Sequence, residues 1–187
     1  DEKSLPYDSM IPVLTALLKL IDLQENKAEC NKKLEKWYWS SVFTNAYSQA
    51  ADSQMTADFK EVKAWFSDDT KVPKNVSAMS TLLPSMNLLE IESEWNSKYR
   101  GVMSLLALKG AKDFATNKTL EFARDNDKDH LFPKSKTYGF GSAPNVNSVL
   151  NITWMSKETN REIKRVQKPS EYLPFFRDTK YNGDEAE

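Results

Sequence analysis

A few residues near the C-terminal end of the chain have side chains that could hydrolyse a phosphodiester. His130, the only histidine, directly follows Asp129, and Asn160 comes 30 positions later. A histidine can take a proton from water near neutral pH. Carboxylate and amide oxygens suit hard divalent cations such as Mg²⁺. A lone histidine is more often a structural or surface residue than a catalytic one. The residue types alone therefore do not decide whether His130 has a catalytic or a structural role.

The order of these residues resembles the HNH nucleases. The chain has Asp129-His130-Leu131-Phe132-Pro133, then Asn151, and then Asn160-Arg161 nine residues later. The resemblance covers residues 126–170 and implies a ββα-metal unit. His130 would be the general base, and Asp129 and Asn160 would hold Mg²⁺ or Mn²⁺. Asn151 would fix the imidazole or the hairpin loop, although it also fits a turn residue at a strand end.

Further stretches look like the C-terminal nuclease region of bacterial modification-dependent restriction proteins of the GmrSD kind. They are 129–135, Asn147-Ser-Val-Leu-Asn151, Thr159-Asn160-Arg161 and 168–173. Many relatives have His-His where this chain has Asp129-His130, but Asp is usual in the wider HNH family. The resemblance implies cleavage of modified or foreign DNA in restriction and phage defence. It also implies an upstream, NTP-using ParB-like domain in the same protein, and no phosphate-cradling glycine loop stands in this chain.

Basic residues flank the candidate site and are expected to contact DNA phosphates. They are Lys134, Arg161, Lys164 and Arg165. Residues 112–180 carry 13 Lys and Arg against 9 Asp and Glu, although the whole chain has a net charge of −1. This excess is compatible with phosphate contacts. A solvated helix face explains the same residues equally well.

The pattern of apolar residues predicts an α+β protein that is mostly α-helical. Helical spacing predicts helices from Asp8 or Ser9 to Leu23, over 27–47 and from Ser53 to about Ser67, a short helix between Pro73 and Pro84, and one or two helices over 87–109. Aromatic residues at helical spacing, Trp95 among them, are expected in the core. After Gly110 the order becomes strand, long loop, strand and helix, with Ser156 capping the last helix.

We therefore expect a helical region at 1–111 packed on an HNH ββα-metal nuclease domain at 112–177. An acidic and flexible tail is expected at 178–187. Adjacent strand residues point to opposite faces, so Asp129 and His130 can serve one phosphate only at a strand end or a bulge. Phe132-Pro133 is expected to end the strand there.

The composition indicates where in the cell the protein is expected to function. Cys30 is the only cysteine, so no intramolecular disulfide and no cysteine-based zinc cage can form, and a reducing cytoplasm is the expected location. No apolar run reaches membrane-spanning length, so no membrane association is expected.

Two functions from different classes account for the C-terminal pattern, whereas a helical protein-interaction domain would explain only residues 1–110. The first is a metal-dependent DNA endonuclease whose target is chosen by parts of the protein outside this chain. The second is a catalytically silent nucleic-acid-binding or assembly module that keeps the HNH frame. The completeness of the motif favours the first. Nothing in the sequence determines the oligomeric state.

Overall fold

The computed structural model describes residues 5–113, 115–120, 126–135, 139, 143–165 and 167–176. The chain forms two compact units, an N-terminal unit of residues 2–86 and a C-terminal unit of residues 87–187. The acidic tail expected at 178–187 lies outside the described residues. None of the described helices is long and apolar enough to cross a lipid bilayer.

The N-terminal unit is built from four α-helices. They are α1 (Ile11–Ile21), α2 (Lys27–Phe43), α3 (Ala51–Ser67) and α4 (Lys74–Leu82). A 3₁₀ turn at Asp8–Met10 precedes α1. Pro12 lies in the first turn of that helix, where backbone N–H groups make no intrahelical hydrogen bond, so the N–H that proline lacks is not needed. The core contains Leu17, Trp37 and Val62, each fully buried. The helices expected from periodicity are therefore present.

In the C-terminal unit a helix packs on a β-hairpin. Helix α5 (Ser97–Leu108) is capped by Asn96, whose side chain accepts a hydrogen bond from the Lys98 N–H. Five of its described buried residues form one hydrophobic cluster, Ile91, Tyr99, Met103, Val149 and Ile152. The sequence predicts a boundary at residue 111, whereas α5 belongs to the same unit as the hairpin. The reason is that its apolar face is buried against residues some 50 positions further along the chain.

The hairpin consists of β1 (Asn126–His130) and β2 (Ile152–Ser156), which pair antiparallel. The register places Asp129 opposite Thr153 and His130 opposite Ile152. A helical segment follows β2 directly and has π-helical hydrogen bonding over Thr159–Lys164. Helix α6 (Pro169–Phe176) ends the described chain. The fold class is therefore α+β and mostly α-helical with one small antiparallel sheet, as predicted.

Trp95 is not a core residue, contrary to the expectation from its spacing. Its side chain is 79 % exposed, and the guanidinium of Arg100 lies 5.5 Å from its ring centroid. Trp95 precedes α5 and lies in a turn, so helical periodicity does not apply to it. Trp37 and Trp65, which do lie within helices, are buried as expected.

Candidate active site at the hairpin and the following helix

Asp129 and His130 are the last two residues of β1, and their side chains approach each other there. The His130 Nδ1 lies 3.9 Å from Asp129 Oδ1, and both side chains are about one-quarter exposed. Regular strand geometry would direct them to opposite faces. Because His130 closes the strand, both residues line the same cavity.

The helical segment after β2 is held at its start by two side chains. Ser156 Oγ accepts a hydrogen bond from the Thr159 N–H at 3.1 Å, which is the expected cap. The buried carboxylate of Asp113 accepts from Thr159 Oγ1 at 2.7 Å and from the Ser156 N–H at 2.8 Å. These bonds fix where the segment leaves the sheet, and so which of its side chains lie over β1.

The segment then makes a wider turn than an α-helix. The Arg165 N–H donates to the Asn160 carbonyl at 2.8 Å, a hydrogen bond spanning five residues. Arg165 itself has a φ of 50° and a ψ of −138°, a backbone conformation that costs a non-glycine residue energy. Both π-helical turns and such strained residues are concentrated at functional sites in proteins.

A cavity of about 540 Å³ lies between the end of β1 and this segment. Seven of the eight residues singled out from the sequence line it. They are Asp129, His130, Lys134, Asn160, Arg161, Lys164 and Arg165. Residues separated by about 30 positions in the chain thus meet at one place.

Asp129 is paired with Lys164. The Nζ atom of Lys164 lies 2.5 Å from Asp129 Oδ2, and the lysine side chain is only 1 % exposed. The same ammonium lies 5.4 Å from the ring centroid of Tyr172. Burial raises the pKa of Asp129, but hydrogen bonds from His130 and Lys164 together with the Lys164 charge outweigh it. The pKa of Asp129 therefore lies below its ordinary value of 3.8, and the carboxylate is ionised.

Lys164 thus differs from the other three residues expected to contact phosphates. Its ammonium is buried and serves as the counter-charge of Asp129. Lys134 and Arg161 are both exposed at the cavity, as is Arg165. These three have the placement that phosphate contacts require.

Asn160 is paired with Asp127, a residue to which the sequence motif assigned no role. The Asn160 Nδ2 donates to Asp127 Oδ2 at 3.1 Å, and the Arg161 Nε donates to the same oxygen at 3.3 Å. Asp127 lies two residues before Asp129 on β1 and hence on the same face of the strand. Alternation along the strand was the signal that could have identified it.

His130 has one ring nitrogen engaged by the loop between the strands. Its Nε2 lies 3.1 Å from Asn147 Oδ1. Asn147 Oδ1 can accept a proton from Nε2 and Asp129 Oδ1 can accept one from Nδ1, so the tautomer decides which ring nitrogen keeps the lone pair of a base. Asn147 stood within a motif that resembled the nuclease family, but only the structure brings it to the imidazole.

Asn151 holds the loop, and none of its side-chain hydrogen bonds goes to the imidazole. Its Oδ1 accepts from the Phe132 N–H at 2.8 Å, and its Nδ2 donates to the carbonyls of Phe132 and Val146 at 3.0 and 2.8 Å. Of the two positions expected for its side chain, the loop is the one observed. Asn151 thereby connects the chain immediately after His130 to the start of β2.

The donor atoms at the cavity fit a hard divalent cation. Asp129 contributes a carboxylate and Asn160 an amide, both lining the cavity. Among the described residues, no three His, Cys, Asp or Glu side chains are grouped so that they could hold an ion by themselves. A site with two protein ligands matches Mg²⁺, which keeps several waters and takes substrate phosphate as a further ligand.

The chain is similar to an uncharacterized protein of Methanocaldococcus jannaschii. The two are 33 % identical over 171 residues, which is 90 % of this chain and 28 % of the archaeal protein. This chain therefore spans little more than a quarter of the length of that relative. No protein-family model matches the chain. No solved structure matches it significantly either.

Proposed function

We propose that the C-terminal unit is a metal-dependent DNA endonuclease of the HNH type. The observation that carries the proposal is the convergence of Asp129, His130 and Asn160 on one cavity, in a strand, loop, strand and helix order. The motif was chosen from residue order alone. Its convergence in space is what a shared reaction centre requires.

His130 acts as the general base. In the tautomer whose Nε2–H donates to Asn147 Oδ1, Nδ1 keeps the lone pair that accepts the proton of an attacking water. Asn151 keeps His130 in place indirectly because it binds both backbone groups of Phe132. Asp129 and Asn160 would hold Mg²⁺ or Mn²⁺, which supplies Lewis-acid stabilisation of the phosphoryl and leaving oxygens when bound.

The proposed substrate is DNA, which would be bound through its phosphates. Lys134, Arg161 and Arg165 place exposed cations around the cavity, and such contacts position a nucleic acid without reading its sequence. We place target choice outside this chain, in a larger restriction or phage-defence protein. The upstream NTP-using ParB-like domain implied by the resemblance would belong to that protein. The partial coverage of the archaeal relative is compatible with such a larger protein.

One observation favours a second candidate, a catalytically silent nucleic-acid-binding module. The buried Lys164 ammonium already provides a cation at Asp129. A site stabilised in this way needs no metal to keep its fold. The presence of the imidazole and of both oxygen ligands at one cavity favours the nuclease.

Plasmid cleavage separates the two candidates. The protein, in its full-length context, should nick or cut plasmid DNA with Mg²⁺ or Mn²⁺ and should stop in excess EDTA. His130→Ala should lower the rate by about 10²–10⁴, the usual contribution of a general base. Its melting curve and its Mn²⁺ affinity should stay close to those of the wild-type protein.

The metal ligands should fail in a different way. Asn160→Ala should weaken Mn²⁺ binding, so that high Mn²⁺ recovers part of its activity and none of the activity of His130→Ala. Asn160 is a cleaner probe than Asp129, because Asp129 also neutralises Lys164. DNA binding without metal-dependent cleavage would support the silent module. Normal cleavage by His130→Ala would exclude the assigned base.

A further inference from the structure

We infer that Asp127 is a positioning residue that determines which atom of Asn160 faces the metal site. The inference rests on the proposed metal site and adds a residue that the nuclease motif does not contain. It follows from one hydrogen bond, from Asn160 Nδ2 to Asp127 Oδ2 at 3.1 Å. Asp127 would act through Asn160 and would not touch the ion.

An asparagine side chain ends in two atoms of opposite character. Only the oxygen can bind a hard cation, and only the nitrogen carries hydrogens to donate. An ionised carboxylate accepts hydrogen bonds and donates none. The Asn160 atom that faces Asp127 must therefore be the nitrogen. This leaves Oδ1 as the atom that can bind a metal ion.

The same carboxylate oxygen of Asp127 has a second partner. The Arg161 Nε donates to the same Oδ2 atom at 3.3 Å. The Asp127 side chain is 21 % exposed, so it is partly shielded from water that would compete for Asn160. Asp127 pairs with the fully buried Met155 in the sheet register, which fixes its backbone.

Asp129, the other proposed ligand, is also engaged by a charged neighbour. Its Oδ2 is taken by the Lys164 ammonium, which leaves Oδ1 on the side of His130. Each of the two proposed ligands thus has one side-chain atom engaged by a protein neighbour. Partners of this kind orient metal ligands, and their removal typically weakens metal binding about 10–100-fold.

The test measures Mn²⁺ affinity by isothermal titration calorimetry on the intact protein without DNA. Asp127→Asn should raise the Kd for Mn²⁺ at least about 10-fold, because its amide no longer selects one orientation of Asn160. Asp127→Glu should raise it similarly, since it keeps the charge but moves the carboxylate. Glu94→Gln is the matched control, because it breaks the 3.5 Å ion pair with Lys128, the next residue along the same strand. It should bind Mn²⁺ like the wild-type protein.

A second background distinguishes positioning from direct ligation. In Asn160→Asp both side-chain oxygens can bind the ion, so orientation no longer matters. Asp127→Asn should then leave the Kd unchanged or lower it, because it removes repulsion between two carboxylates. A loss there as large as in the wild-type background would make Asp127 a ligand and would overturn the inference.

The remaining outcomes are also decisive. Wild-type affinity in Asp127→Asn would overturn the inference while leaving the proposed metal site intact. Wild-type affinity in Asp127→Glu with weak binding in Asp127→Asn would show that charge alone matters, and would overturn it as well. No Mn²⁺ binding by the wild-type protein would overturn the proposed site together with the inference. Melting curves identify a variant that fails to fold, and the other substitution at position 127 then decides.

Discussion

The ion pair between Asp129 and Lys164 joins a partly exposed carboxylate to a buried ammonium. The Lys164 side chain is 1 % exposed and that of Asp129 is 26 % exposed. Removing the carboxylate leaves a buried charge without its counter-charge, which is the costly way to break such a pair. Replacing both partners by neutral groups of similar size is often tolerated.

We therefore predict that Asp129→Asn is less stable than the wild-type protein by about 3 kcal/mol, the lower end for a buried pair. Lys164→Met in the same molecule should recover most of this loss, because the buried charge is then gone. Urea denaturation of the wild-type protein, both single variants and the double variant measures the coupling. Additive effects of the two substitutions would show that the pair contributes nothing.

At the scale of elements, Asp113 connects the end of β2 to the helical segment that carries Asn160. Its Oδ2 accepts from the Ser156 N–H, and its Oδ1 accepts from Thr159 Oγ1. The Oδ1 atom also accepts from the N–H groups of Ala115 and Thr116, so the same carboxylate closes the turn that follows it. The side chain is 4 % exposed, and the nuclease motif does not include Asp113.

These bonds make stability depend on pH. Burial raises the pKa of Asp113, but the hydrogen bonds from Ser156, Thr159 and Thr116 outweigh it, and the pKa lies below 3.8. A carboxylate whose pKa is lower in the folded state contributes stability above its unfolded pKa. That contribution is lost as the pH falls through the folded pKa.

We predict that Asp113→Asn lowers the free energy of unfolding at pH 7 by about 1.5–3 kcal/mol, the range for hydrogen bonds to a charged group. The difference from the wild-type protein should shrink as the pH is lowered below 3.8. Urea denaturation at several pH values measures it, with the exposed Asp22→Asn in the other unit as control. A difference that stays constant with pH would contradict the assignment.

At the scale of the whole molecule, all residues of the candidate site belong to one of the two units. The described residues that line the cavity all lie between Asp129 and Arg165 in the sequence, and the C-terminal unit has a core of its own around Met103 and Val149. A unit of about 100 residues is large enough to fold independently. The N-terminal unit supplies none of the described residues that line the cavity.

We therefore predict that a fragment of residues 87–187 folds cooperatively and binds Mn²⁺ as tightly as the full chain. Circular dichroism and calorimetry measure the two properties. The fragment that begins at residue 112 should fail, because it lacks α5 and with it Tyr99 and Met103 from the core. If the fragment 112–187 folded as well as 87–187, α5 would not belong to this unit.

Much of the fold could be predicted from the sequence because helix caps and apolar spacing depend on residues close together in the chain. Helix ends follow from side chains within one turn, as the predicted cap at Ser156 illustrates. Apolar spacing predicted the helices of the N-terminal unit. It also predicted the change after Gly110 to a strand, loop, strand and helix order. The boundary at residue 111 differed from the observed units because the packing of α5 on β2 is a contact between distant residues.

Within the candidate site, the sequence by itself determined which residue types are present and in what order. His130, Asp129 and Asn160 were identified from that order, and they meet in one cavity. Their partners were decided by the tertiary structure alone. Lys164 reaches Asp129 and Asp127 reaches Asn160 across more than 30 positions, through an antiparallel register and a π-helical turn. Such pairings depend on the point and the direction in which the helical segment leaves the sheet. Neither can be predicted from a local pattern of residues.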